Sequence, residues 1–92
     1  MIKLPHELTI AQVEEYRLEI QPIIDEQSTI SLDDSDLARI DTIGVQFILA
    51  VVTYISAQGK ELKWDSKSKA LRQSIEQLGI KEAILIEHLP DH

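Results

Sequence analysis

The chain has 92 residues and no cysteine, which removes disulfides, thiolate catalysis and cysteine-ligated metals together. Basic side chains are scarce, nine lysines and arginines against sixteen aspartates and glutamates, for a formal net charge of −7. An acidic surface repels phosphate backbones, so nucleic acid is not an expected partner. Long apolar runs are missing as well. The longest, residues 45–55, contains Gln46 and Thr53 and falls far short of the roughly 20 residues a membrane span requires. Met1-Ile2-Lys3-Leu4-Pro5-His6-Glu7 lacks the basic region and apolar core of a signal peptide, so a soluble, cytoplasmic protein without direct membrane insertion is expected. There are no repeats, low-complexity segments or internal linkers, and the length and the ordinary apolar share of 43% suit one domain spanning residues 1–92.

The charge is unevenly spread. Residues 1–50 hold three basic and ten acidic side chains, and residues 51–92 hold six of each. Lys60, Lys63, Lys67, Lys69 and Arg72 form a basic strip broken only by Glu61 and Asp65, which reads as a solvated face before it reads as a contact for an acidic partner.

The remainder of the chain is arranged around Ile40-Asp41-Thr42-Ile43-Gly44-Val45-Gln46-Phe47-Ile48-Leu49-Ala50-Val51-Val52-Thr53-Tyr54-Ile55. Aspartate and threonine are good N-cap residues, because their oxygens accept from the otherwise unpaired N–H groups of a first helical turn. A loop carrying Asp41-Thr42 into a helix of about residues 44–57 is expected. Val45, Ile48, Leu49, Val52 and Ile55 make one apolar stripe of that helix, and Phe47, Val51 and Tyr54 widen it. A helix apolar on most sides is buried or is covered by something outside the chain; partial exposure of the second stripe is expected.

In chain order, Ile2-Lys3-Leu4 reads as a short strand ended by Pro5. Thr9 stands three residues before Gln12, a capping box, and the apolar spacing from Ile10 through Ile24 predicts a helix of about residues 10–25. Pro22 predicts a kink there, or an end near Ile20. Thr29-Ile30-Ser31-Leu32-Asp33 alternates as a strand does, and Asp33-Asp34-Ser35-Asp36 reads as a polar turn. Gly59 suits a helix stop before a strand at Glu61-Leu62-Lys63-Trp64. Asp65-Ser66 could cap a third helix whose stop is Gly79-Ile80. Residues 83–89 are apolar enough to pack, with no clear element type. Strands alternating with helices predict an α/β fold with mostly parallel pairs.

Leu32-Asp33, then Ser35 and Leu37, then Ile40-Asp41-Thr42-Ile43-Gly44-Val45 resembles the signature of STAS domains (sulphate transporter and anti-sigma factor antagonist). The likeness extends upstream to Glu7-Leu8-Thr9-Ile10 and downstream through Gly59, Ser66, Ala70-Leu71 and Leu78-Gly79-Ile80. The resemblance implies a small mixed, mostly parallel β-sheet flanked by about three to four α-helices. It also implies no catalytic activity, no cofactor and a role as a switchable binding partner, in which Thr42 occupies the position phosphorylated by a partner kinase. Ile43 stands where the family usually has a small residue. The short format looks similar to stand-alone bacterial domains of chemotaxis or histidine-kinase systems. It also looks similar to the accessory subunit of lipid-asymmetry ABC transporters, which docks on the transporter's ATPase.

The partner-facing set expected on these grounds is Asp33, Asp41, Thr42, Ile43, Gly44, Val45, Phe47, Ile48 and Val51. A phosphate on Thr42 would meet the free N–H groups and positive dipole end of the helix, beside Asp33, Asp34, Asp36 and Asp41. Those aspartates could also hold Mg²⁺ or a nucleotide. Without a phosphate-cradling glycine loop, their turn-forming habit is the plainer explanation. His88 and His92 are spaced as a helical metal pair, but Pro90 between them breaks the helix. Nothing places a nucleophile on a strained elbow.

Overall fold

The computed structural model describes residues 1–89. Its elements in chain order are β1 (Ile2–Lys3), β2 (Glu7–Leu8), α1 (Ile10–Glu26), β3 (Thr29–Asp33), β4 (Arg39–Ile40), α2 (Thr42–Ala57), β5 (Glu61–Lys63), α3 (Lys69–Leu78) and α4 (Ala83–Ile86). The fold is α/β. Strands β1, β3 and β5 form a three-stranded sheet in that order, and β2 pairs with β4. Every pairing among the described residues is parallel, with Ile2 opposite Leu32, Ile30 opposite Leu62 and Leu8 opposite Ile40. Parallel neighbours need crossovers, which α1 and α2 supply.

The core forms where the sheet meets the helices. Strand β3 alternates as its sequence requires, burying Ile30 and Leu32 while Thr29 stays exposed. Helix α2 presses Val45, Ile48, Val52 and Ile55 into the centre, where Leu71, Ile75 and Leu85 close the other side. Residues 83–89, of unassigned type in the sequence, supply the short helix α4. Tyr16 joins three elements: its hydroxyl donates to the Lys3 carbonyl at 3.0 Å, and its ring meets Phe47 edge-on at 6.1 Å. Burial, with Glu19 nearby, pushes the Tyr16 phenol up to about 12.

Three expectations need correction, and one strand pair lies beyond them. Helix α1 spans Ile10–Glu26, as the spacing over residues 10–25 predicts, and passes through Pro22 rather than ending near Ile20. Pro22 and Leu18, whose carbonyl loses its helical donor, both face solvent, where water is available in place of the missing bond. Asp34 is no surface turn residue. It is fully buried, accepting from the Ser66 hydroxyl at 2.5 Å and the Lys67 N–H at 2.7 Å. Those bonds occupy residues 66 and 67 in a loop, so the cap of α3 is Ser68 rather than Asp65-Ser66. The Ser68 hydroxyl accepts from Leu71 N–H at 3.1 Å and donates to the Leu37 carbonyl at 2.7 Å. Finally, β2 and β4 exist as a pair that two-residue strands cannot announce by periodicity.

That second pair sets the position of α2. A Cβ placed on Gly44 would lie 2.0 Å from the Leu8 carbonyl oxygen and 2.7 Å from an Ile40 side-chain carbon. Only a hydrogen at that position lets the first turn of α2 reach β2. Gly59, by contrast, has φ +70° and open space around it; it ends α2 with bonds from its own N–H to Ser56 and from Lys60 N–H to Ile55. Gly44→Ala is expected to cost about 3 kcal/mol or more by overpacking, and Gly59→Ala about 1–2 kcal/mol from backbone strain alone. Urea melts of the two variants check the order.

Candidate functional site

The site is built from one carboxylate. Asp41 sits in extended backbone just before α2, and its Oδ1 accepts from Gly44 N–H at 2.8 Å. Its Oδ2 accepts from Ile10 N–H at 3.0 Å, thirty-one positions earlier in the chain. Asp41 therefore caps two helices at once and fastens the first turn of α1 to the first turn of α2. Thr9 and Gln12 complete the start of α1 as a capping box: Thr9 N–H donates to the Gln12 side-chain oxygen at 2.9 Å, and Ala11 N–H donates to the Thr9 hydroxyl oxygen at 3.3 Å.

Several residues flanking this joint are exposed. Thr42, the first residue of α2, is exposed, and so is Ile43 beside it, at 44%. Ile10, whose N–H binds Asp41, is 71% exposed. Two isoleucines thus face solvent at helix starts held together by the same carboxylate. Exposed large apolar side chains gathered at one place are more informative than scattered ones.

The other expected site residues separate into three groups. Gly44, Val45, Phe47 and Ile48 are buried, which corrects their expected place on a partner-facing surface. Gly44 serves the approach of α2 to β2, and Val45 and Ile48 fill the core. Phe47 is 8% exposed and, with half-buried Val51, lines a groove of about 280 Å³ between α1 and α2. Asp33 belongs to a different turn, where its carboxylate accepts from Ser35 N–H at 2.9 Å. That bond and the Ser35 hydroxyl hold its pKa below the usual carboxylate range.

The four aspartates that lie close in the sequence have separate partners. Asp34 faces the interior, Asp36 pairs with Lys3 at 3.2 Å, Asp33 binds Ser35, and Asp41 binds the two helix starts. Among the described residues no three His, Asp or Glu side chains are placed to hold a metal ion. His92 and Pro90 lie outside the described residues. His88 is half-buried, stacked on Trp64 at 5.1 Å with its Nδ1 3.0 Å from the Trp64 carbonyl oxygen.

One expectation about Thr42 changes with this geometry. The Gly44 N–H in the first turn of α2 is not free to receive a phosphate, because Asp41 already accepts from it. A phosphate on Thr42 would stand beside that carboxylate and compete with it. Sequence spacing identified Asp41 as a cap; the second helix it serves has no signal within any short window.

The backbone N–H groups of Ile10 and Gly44 hold the Asp41 carboxyl below its usual range. A group depressed in the folded state adds stability above its unfolded value of about 3.9, and that contribution disappears as pH falls through the lower folded value. Asp41→Ala is expected to cost about 1–2 kcal/mol at pH 7, which lowers Tm by roughly 4–8 °C per kcal/mol. Asp41→Asn should cost less, since asparagine also caps α2, although its amide cannot accept from both helices. The gap between wild type and Asp41→Asn should narrow as pH falls below about 4, which thermal melts from pH 7 to pH 3 would show.

No curated protein matches the chain. A family model described as "Mlab, STAS domain" matches residues 1–87. Members of that family are in general regulatory, protein-interacting domains rather than enzymes. The elements, their parallel pairing and this match together place the chain in the STAS domain family.

Proposed function

We propose that the protein is a non-catalytic cytoplasmic regulator that docks on a protein partner through the surface formed by Thr42, Ile43 and Ile10, with phosphorylation of Thr42 as the switch. The observation that carries this reading is the exposure of Thr42, Ile43 and Ile10 at two helix starts joined by one carboxylate. Apolar contacts supply the attraction when the surface is unmodified. A phosphate adds close to two negative charges immediately beside the Asp41 carboxylate, on the half of the chain that already holds ten acidic side chains and three basic ones. A partner face suited to the unmodified surface would then meet a charge it has to desolvate. The kinase, anti-sigma-like protein or histidine-kinase component that serves as partner is set by the cell.

A second reading is favoured by the description of the matching family model, which names Mlab. In it the protein is an accessory subunit of a lipid-asymmetry ABC transporter, the same surface docks on the ATPase, and no phosphate is involved. The exposure of Ile43 suits a permanent contact of this kind.

Capture from the source cell by wild type, Thr42→Ala, Thr42→Glu and Ile43→Glu, with mass mapping of Thr42, separates the two. Under the switch, Thr42→Ala keeps the partner, Thr42→Glu loses it by about tenfold or more, and a phosphorylated fraction is found. Under the transporter reading an ABC ATPase is retained and Thr42 carries no phosphate. Equal capture by all four proteins would remove both.

A further inference from the structure

Pro5, Gln12, Glu15, Tyr16 and Glu19 line a separate pocket of about 170 Å³, where α1 passes the chain that follows β1. We propose that it receives a single arginine side chain of a protein partner, the stem against Pro5 and Tyr16 and the guanidinium between the Glu15 and Glu19 carboxylates. This goes beyond the Thr42 surface and rests only on the chain being a protein-interacting domain.

The walls suit a long side chain with an apolar stem. Pro5 and Tyr16 are half-buried, and Tyr16 is held from two sides. Its hydroxyl donates to the Lys3 carbonyl at 3.0 Å, and its ring meets Phe47 edge-on. A wall fixed before binding loses little freedom when a stem packs on it, and an aromatic wall also attracts a guanidinium. At about 170 Å³ the pocket is smaller than the roughly 300–1,000 Å³ of pockets that enclose small molecules. That size favours one side chain of a larger partner.

Charge sets the second requirement. Two carboxylates line this pocket directly, and no cation does. Glu15 and Glu19 are exposed and one helical turn apart, a spacing at which like charges repel and weaken a helix. Among the described residues neither has an ion-pair partner. The cations nearest in sequence are engaged elsewhere, Arg17 with Glu14 and Gln21, and Lys3 with Asp36. Glu19 is near enough to the Tyr16 phenol to help raise its pKa. The pocket is therefore negative, uncompensated and walled by a ring. A guanidinium answers all three conditions: its planar fork of N–H donors can serve two carboxylates at once, and it is less strongly hydrated than an ammonium.

The test uses the whole chain, labelled with ¹⁵N, and the capped tripeptide alanine-arginine-alanine in about 0.15 M salt. Saturable shifts are expected at Gln12, Glu15, Tyr16 and Glu19. The same peptide with citrulline, which keeps the shape and loses the charge, should bind at least about fivefold more weakly. Glu15→Gln combined with Glu19→Gln should abolish the preference for arginine over citrulline, with Tm held or slightly raised because the repulsion on α1 is gone. Glu26→Gln combined with Glu61→Gln removes the same charge from exposed positions outside the pocket and should keep the preference. Thr42 and Ile43 are untouched throughout, so failure of the switch and failure of the pocket are separately visible. Equal binding of the two peptides, a preference that survives loss of both pocket glutamates or falls equally in the control pair, or shifts confined to other surfaces would each overturn the assignment.

Discussion

The structure depends on the two hydrogen bonds accepted by Asp41. Each helix start leaves N–H groups that nothing inside the helix can satisfy, and most proteins answer each with a separate cap. Here one carboxylate answers two, from Ile10 and Gly44, with an oxygen for each. The consequence is geometric. Helices α1 and α2 cannot separate at this end without leaving an N–H unpaired, and the contact between Tyr16 and Phe47 lies on the same pair of helices. The missing side chain at Gly44 is the condition for the arrangement, since a Cβ there would collide with the Leu8 carbonyl before the turn could close. Acceptor and glycine work as a unit: one draws the helix start inward, the other makes room.

Features confined to a single element were visible in the sequence. The Thr9–Gln12 capping box, the alternation across 29–33 and the glycine stops at 59 and 79 all appear where spacing placed them. What the sequence hid were relations between distant segments. Asp34 sits in a run of aspartates and reads as turn chemistry; its burial follows from Ser66 and Lys67, more than thirty positions away. The same bonds displaced the start of α3 from Asp65-Ser66 to Ser68. Pro22 misled for a different reason. Its cost depends on whether the orphaned carbonyl is wet, and exposure is a tertiary property.

The candidate site shows the same division. Thr42 and Ile43 could be placed at a helix mouth from local pattern alone. The apolar residues behind them could not be sorted into core and surface, because α2 is apolar nearly all round and periodicity then gives no face. Packing made the choice: Val45 and Ile48 went to the centre, while Phe47 and Val51 turned to the seam with α1. Ile10 was missed as a site residue because it looks like the first core position of α1, yet it is among the most exposed apolar side chains.

Added charge at Thr42 would act on more than the outer surface. Of the first-turn N–H groups that ordinarily welcome an anion, that of Gly44 is engaged by Asp41, so a phosphate there has to share it with a carboxylate or push it aside. Like charges at such short range repel by an amount that bulk water reduces but does not abolish. Release of Asp41 would free Ile10 N–H as well as Gly44 N–H, and both helix starts would loosen together. The seam between α1 and α2 is only as well defined as that joint. A modification read directly by one partner at the helix mouth would therefore also be felt, more weakly, along the groove behind it.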